Sequence, residues 1–224
     1  MKDFRKYSLG MVSGGVFDDY FKKLPKNNTS LFLSDSNGAL VDIFTKMLDD
    51  RIIFLTDYMN FEVCNLVKAQ ILYLETKSNE DIKIYIDCVG GSIYSGLGVL
   101  DIMDYVKSDV VTINTGLAAS MGALVLCSGE KGKRKSLKRC RTMIHQPVGY
   151  GGDYRQASDM EIETKEIVSL KKELYRIISD RSGQSYDKVS EDGDRDYWMT
   201  SEDAKSYGLI DDIIINKNKH DRIK

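Results

Sequence analysis

Ile82-Lys83-Ile84-Tyr85-Ile86, followed by Asp87-Cys88-Val89-Gly90-Gly91-Ser92, is the stretch that decides the fold. Isoleucine at every second position is the period of a strand, and a glycine pair then punctuates the chain before a helical run from Ser92 to Val106. The pattern recurs at once. Val110-Val111-Thr112-Ile113-Asn114 reads as the next strand, and Gly116-Leu117-Ala118-Ala119-Ser120-Met121-Gly122-Ala123 leads from it into a helix opening near Ser120. Strand, glycine turn and helix in alternation predict an α/β fold with a largely parallel sheet.

The same alternation extends outward in both directions. Upstream, Asp42 to Leu48 reads as a short amphipathic helix and Arg51-Ile52-Ile53-Phe54-Leu55 as a buried strand. Asn60 to Thr76 spaces Phe61, Val63, Leu66, Val67, Ile71, Leu72 and Leu74 as one helix would. Downstream, Arg141-Thr142-Met143-Ile144 is a strand. Gln156 to Ser179 is a long helix with Ile162, Ile167, Leu170, Leu174, Ile177 and Ile178 along one face. Ser201 to Tyr207 is a short helix ended by Gly208, and Ile210 to Ile215 a last apolar strand. The first forty residues carry the weakest pattern, with Lys26-Asn27-Asn28-Thr29-Ser30 reading as a flexible link.

Composition excludes several classes of function. The net charge of -2 gives no general attraction to nucleic acid or to an anionic membrane. The one basic cluster, Lys131-Gly132-Lys133-Arg134-Lys135 with Lys138-Arg139, reads as a solvated turn between strands. No run approaches the roughly 18 apolar residues of a membrane-spanning helix, and Met1 to Gly15 lacks the apolar core of a signal peptide. The four cysteines form no CxxC pair and no metal-like pairing with histidine. Cys88 and Cys127 sit in apolar runs as core residues, so a reducing compartment is expected and no metal site.

Chemistry in such folds gathers where strands end and helices begin. Gly90-Gly91 is either a tight strand-to-helix turn or a pair of amides aimed at a carbonyl. Ser120, the one polar side chain among the small residues of its turn, is either a helix cap or a nucleophile. His145 is one of only two histidines, and it follows an apolar strand in Thr142-Met143-Ile144-His145-Gln146-Pro147. Asp192-Gly193-Asp194-Arg195-Asp196 has the look of a solvated acidic loop, but it runs into Tyr197-Trp198-Met199, which is expected to draw Asp196 toward the interior. A serine, a histidine and an aspartate in this order can supply nucleophile, base and orienting carboxylate. The combination favours the catalytic reading of each.

From about Leu40 to Ile214 the chain resembles the proteolytic subunits of Clp peptidases (the ClpP family). The matching segments are Arg51 to Thr56, Gly90-Gly91-Ser92-Ile93, Gly116 to Ala123, Gly129 to Lys135, Met143 to Pro147, Asp194-Arg195-Asp196 and Ala204 to Asp211. The resemblance implies a ClpP/crotonase-like spiral of repeated β-β-α units over residues 40–216, with a protruding helical handle at about 148–180. Residues 1–39 would be an N-terminal extension, as an axial or propeptide segment, and 217–224 a C-terminal tail. By motif, Ser120 would be the nucleophile, His145 the base and Asp196 the acid, with the backbone amides of Gly91 and Met121 forming the oxyanion hole. Asp194 and Arg195 would link rings and couple assembly to the site, and Tyr85 would lie in the cleft that receives an unfoldase.

The resemblance further implies self-association into two stacked seven-membered rings, a tetradecamer. Its partners would be an AAA+ unfoldase of the ClpX, ClpA or ClpC type, unfolded polypeptide substrates and a ClpP or ClpR paralogue in mixed rings, with no nucleic acid and no membrane. No cofactor is expected on this chain: it has no GxxxxGK[ST] loop, so ATP would be used by the unfoldase. The cytoplasm is the expected compartment, with a plastid or apicoplast stroma or the mitochondrial matrix as the alternative.

Three features depart from the family pattern. Asp87-Cys88-Val89 stands where Asn-Ser-Pro is usual, which frees a backbone torsion and places a carboxylate near the site if it points inward. The glycine-rich segment after Pro147 is about two residues longer than the family's, and the N-terminus does not match the usual axial loop. A catalytically weak or silent ClpR-like ring subunit is therefore the alternative function, although such relatives usually lack a triad residue. A crotonase acting on coenzyme A thioesters is the third reading, and it gives Ser120, His145 and Asp196 no joint task.

Overall fold

A computed structural model describes residues 32–34, 40–149 and 156–215, and the chain divides into two compact units at Ile53/Phe54. In the first unit, β1 (Phe32–Ser34) pairs antiparallel with β2 (Leu40–Asp42), and α1 (Ile43–Asp49) follows directly. Asp42 ends the strand and caps the helix, its carboxylate accepting from the Thr45 amide at 3.1 Å.

The second unit is built on a seven-stranded sheet, of which Ile52 and Ile53 of the first strand fall before the boundary. Its strands are β3 (Ile52–Leu55), β4 (Ile82–Cys88), β5 (Val110–Ala119), β6 (Lys135–Leu137), β7 (Arg141–Ile144), β8 (Tyr197–Thr200) and β9 (Asp212–Ile214). The order is β3-β4-β5-β6-β9, with β7 on β5 and β8 on β7. Six helices lie between them: α2 (Phe61–Glu75), α3 (Ile93–Tyr105), α4 (Met121–Cys127), α5 (Ala157–Ser182), α6 (Tyr186–Asp192) and α7 (Ser201–Tyr207). In β4 the two-residue period buries Ile82, Ile84, Ile86 and Cys88 and leaves Lys83 and Asp87 outside. Asn60 and Ser92 cap α2 and α3, so both helices start one residue later than their patterns suggest.

The expectation for β5 was too short. It runs ten residues, through Gly116 to Ala119, because an irregularity in its pairing lets it continue. Ile86 pairs with Asn114 but Cys88 pairs with Ala118, so β5 spends two more residues than β4 over this interval. Polar groups fill the gap: the Leu117 amide donates to the Asp87 carboxylate at 2.9 Å and Thr115 Oγ1 to the Ile86 carbonyl at 3.0 Å. Gly116 is glycine because a Cβ there would lie 2.6 to 2.8 Å from the Asp87 carboxyl group. Along β5 the neighbour also changes, from β6 at Ile113 and Asn114 to β7 at Leu117 to Ala119.

The basic cluster is a solvated turn only in part: Lys131-Gly132 and Lys138-Arg139 are exposed turn residues, and Arg134 is the exception. Arg134 is buried and makes a two-pronged pair with Asp211, Nε to Oδ2 at 2.9 Å and Nη2 to Oδ1 at 2.6 Å. Its Nη1 donates to the carbonyls of Cys127 and Arg181. Lys133 Nζ sits 2.8 Å from Asp81 and 2.7 Å from Asp109. The segment continues into β6, a strand with no sequence signal of its own. Partial burial acts to raise the Asp211 carboxyl, but the Arg134 guanidinium and the amides of Arg134 and Gly132 outweigh it and hold Asp211 below the usual carboxylate range. A depressed folded-state value means that this pair stabilises the fold at neutral pH and that the contribution is lost as acid protonates Asp211. Arg134→Ala should destabilise the chain by about 3–5 kcal/mol, as breaking a buried pair does, read from the urea midpoint at neutral pH.

Other differences are local. Helix α6 and strand β8 were not anticipated. The 26-residue α5 buries only Leu170, Leu174, Tyr175 and Ile178, all in its C-terminal half, whereas Ile162 is exposed. Of the glycine-rich stretch 149–152, residues 150–152 lie outside the described residues, as do most of the N-terminal extension and the tail from 216.

Candidate active site

Strand register brings three distant segments to one edge. Ala119 pairs with Met143 in parallel β5 and β7, so Ser120 and Ile144-His145 leave the sheet side by side. Because β8 runs antiparallel to β7, with Ile144 opposite Tyr197, the residue before β8 arrives at the same edge. That residue is Asp196. The Ser120 Oγ lies 2.9 Å from His145 Nε2, and His145 Nδ1 lies 3.0 Å from Asp196 Oδ1.

Ser120 is held in a costly backbone conformation, φ 54° and ψ -124°, one of two non-glycine residues at positive φ among those described. Its surroundings over-determine it. Its amide donates to the Met143 carbonyl at 2.9 Å, and its own carbonyl accepts from Ala123 and Leu124. Its side chain makes no helix-cap bond, so the capping reading of Ser120 fails and the hydroxyl is left for His145. Behind it, every residue of α4 is buried, and Gly122 packs where a Cβ would come 2.8 Å from the Cys88 carbonyl.

The glycine pair packs directly against this serine. Gly90 has φ +93°, and a Cβ there would lie 2.7 Å from the Ser120 Cβ and 2.9 Å from the Met121 nitrogen. Gly91 has φ +154°, with room for a Cβ blocked by the Met59 carbonyl at 2.5 Å. The turn is strapped to Met59 on both sides: Met59 N–H donates to the Gly90 carbonyl at 2.9 Å, and Ser92 N–H to the Met59 carbonyl at 2.7 Å. The Gly91 amide makes no hydrogen bond to a described residue. Met121 is the first residue of α4, where an amide has no acceptor within its own helix.

One expectation is overturned at Asp196. Its side chain is 59% exposed, not drawn inside, because β8 alternates and only Met199 of Tyr197-Trp198-Met199 is buried. Asp87 is corrected too: its carboxylate is occupied by the Leu117 amide and serves the irregularity in β5.

Around Ser120, His145 and Asp196, Gln146, Lys171 and Tyr175 are residues to which the sequence reading gave no role; Asp194, Arg195 and Tyr85 are ones it singled out. Gln146 donates through Nε2 to the Asp194 carbonyl at 2.6 Å, and Lys171 of α5 bridges Gln146 and Asp194 at 3.1 and 3.5 Å. Buried Tyr175 donates its hydroxyl to the Gly193 carbonyl at 2.7 Å, its own proton held more tightly (to about 12) by burial first and by Asp194 second. Gly193 faces the Tyr175 ring, where a Cβ would lie 3.0 Å from a ring carbon. Arg195 is exposed, with no hydrogen bond or ion pair to a described residue. Tyr85 is half-buried and stacks on Phe54 with ring centroids 5.6 Å apart. Among the described residues no group of three or more His, Cys, Asp or Glu side chains could hold a metal, and no helix is long and apolar enough to cross a membrane.

The family model for Clp protease matches residues 35–217, a span that contains the whole sheet edge and the glycine turn. The chain belongs to the Clp protease family. Its fold is accordingly the mixed α/β, ClpP/crotonase-like one. Among curated relatives, the ATP-dependent Clp protease proteolytic subunit of Bacteroides fragilis is 48% identical over 97% of this chain and 100% of its own length. The subunit of the same name from Porphyromonas gingivalis is 42% identical over 98% and 100%. Proteolytic subunit 3 of Parasynechococcus marenigrum is 51% identical over 80% of this chain and 90% of its own. The family makes the chain a protease, and its sheet edge sets the Ser120 hydroxyl, the His145 imidazole and the Asp196 carboxylate within hydrogen-bond reach of one another in turn.

Proposed function

We propose that the chain is a serine endopeptidase, the proteolytic subunit of an ATP-dependent Clp protease, with Ser120, His145 and Asp196 as its triad. The observation that carries this is the continuous chain of contacts from Ser120 Oγ through both ring nitrogens of His145 to Asp196, at 2.9 and 3.0 Å. In the reaction, His145 Nε2 takes the hydroxyl proton as Ser120 Oγ attacks the peptide carbonyl. Asp196 holds the Nδ1 proton and stabilises the imidazolium. His145 then protonates the leaving amine, and water, deprotonated by the same nitrogen, releases the acyl group. The amides of Gly91 and Met121 receive the oxyanion, since each is a backbone donor with no acceptor among the described residues, at the turn and helix start beside Ser120.

The rest of the reading concerns assembly. The peptidase domain is taken as residues 40–216. Exposed Met160, Ile162 and Val168 on the N-terminal half of α5 suit a handle that packs against another ring, and exposed Arg195 beside Asp194 suits an inter-ring contact. The Tyr85–Phe54 stack suits an apolar cleft for an AAA+ unfoldase, which would use the ATP and deliver unfolded chains. The relatives' names support that partnership, and the cytoplasm is its proposed compartment.

Gly91→Ala tests the oxyanion assignment. Turnover should fall about 100-fold or more, because the Cβ pushes on the Met59 carbonyl and displaces the amide. Activity within a few-fold of the parent would remove Gly91 from the site. The function itself is tested by hydrolysis of a short fluorogenic peptide, with oligomeric mass measured in the same buffer. Turnover by an assembled double ring is expected. No turnover from that assembly would leave a silent structural subunit.

A further inference from the structure

Cys88 is the last residue of β4, and its thiol faces the glycine turn from beneath. Its Sγ lies 3.0 Å from the Asp57 carbonyl, to which the S–H donates, and accepts from the Gly90 amide at 3.3 Å. It is 1% exposed, and burial first of all raises its pKa to about 11, so it remains a thiol and keeps the proton that the Asp57 carbonyl needs. Two backbone hydrogen bonds already tie Gly90 and Ser92 to Met59. The thiol adds the third tie, and it is the only side chain among the described residues that bonds to the turn's amides while also reaching the Asp57–Met59 segment. The turn so held is the one whose Gly90 abuts Ser120 and whose next amide is that of Gly91.

We propose that Cys88 is a positioning residue for peptide-bond hydrolysis: its thiol bridges Asp57 and Gly90 and thereby aims the Gly91 amide at the oxyanion. The proposal rests on the serine-peptidase reading above. Proline is absent at position 89, so the backbone entering the turn is not restrained from that side, and a side-chain tie has more to do. Thiol hydrogen bonds are weak, so the effect of losing this one is on aim and not on the fold as a whole. Among the described residues the Cys88 thiol makes no hydrogen bond to Ser120 or His145; its partners are Asp57 and Gly90.

The test compares Cys88→Ala and Cys88→Ser with the parent as assembled oligomers, measuring kcat and KM for a fluorogenic peptide and the affinity of a peptide boronate that forms a tetrahedral adduct. Cys88→Ala should lower kcat by about 10- to 100-fold with KM within about twofold, and weaken the boronate by a similar factor. Cys88→Ser restores a donor and an acceptor at that place and should recover kcat to within about threefold of the parent. Cys88→Ala with parental kcat, or an assembled Cys88→Ser variant as impaired as Cys88→Ala, overturns the proposal. Should Cys88→Ala not assemble, the serine variant decides: recovery supports the tie and a tenfold loss overturns it. An inactive parent, or a Ser120→Ala variant that still turns over, instead overturns the peptidase reading.

Discussion

Ser120→Ala is expected to lower kcat for peptide hydrolysis on the order of 10⁵- to 10⁶-fold while leaving oligomeric mass and thermal stability close to those of the parent. Removing the nucleophile of a serine-peptidase triad removes nearly everything the triad contributes, and what remains comes from binding and the oxyanion hole. Stability should be spared for a structural reason. The Ser120 hydroxyl caps no helix, and its backbone bonds to Met143, Ala123 and Leu124 survive the substitution. Alanine meets the same backbone strain at φ 54° as serine does. A variant that is assembled but inert thus isolates the chemistry from the fold, whereas retained turnover would mean that another group attacks.

Asp196→Asn should reduce kcat about 10³- to 10⁴-fold, somewhat less than the serine variant. The sign follows from the proton on His145. In the tautomer that carries its proton on Nδ1, His145 donates to the Asp196 carboxylate at 3.0 Å and turns an unprotonated Nε2 toward Ser120 at 2.9 Å. An asparagine can present its NH₂ instead, favouring the tautomer that carries its proton on Nε2 and is unable to take one from Ser120. Exposure of Asp196, at 59%, lets water moderate the loss of charge, so the tautomer effect should dominate. Steady-state rates of the assembled variant check this. A loss below tenfold would show that His145 is oriented without Asp196.

That Ser120, His145 and Asp196 would meet was legible in the sequence because these residue types are rare where they stand. Two histidines leave little choice of candidate base, and a serine among Gly, Ala and Met has few structural tasks at a strand end. Strand and helix positions followed from period alone where one face is buried, as in β4 and α2. Legibility failed where geometry depends on pairing partners. The irregularity in β5, β6 and the antiparallel turn-back of β8 come from registers that no local pattern encodes, and β8 delivers Asp196 to an exposed edge that its apolar neighbours did not suggest. Arg134 looked like one more surface cation until Asp211, far along the chain, was seen to pair with it. Tyr175 and Lys171 lie on a helix whose period reveals a face but not the loop it supports.

The measurement that bears most directly on the central claim is covalent labelling of the assembled parent protein with a fluorophosphonate, followed by peptide mapping. One adduct per chain, on Ser120, with matching loss of peptide turnover is the predicted result. An assembled oligomer that takes no label at Ser120, or that takes it elsewhere while turnover is lost, would contradict the assignment.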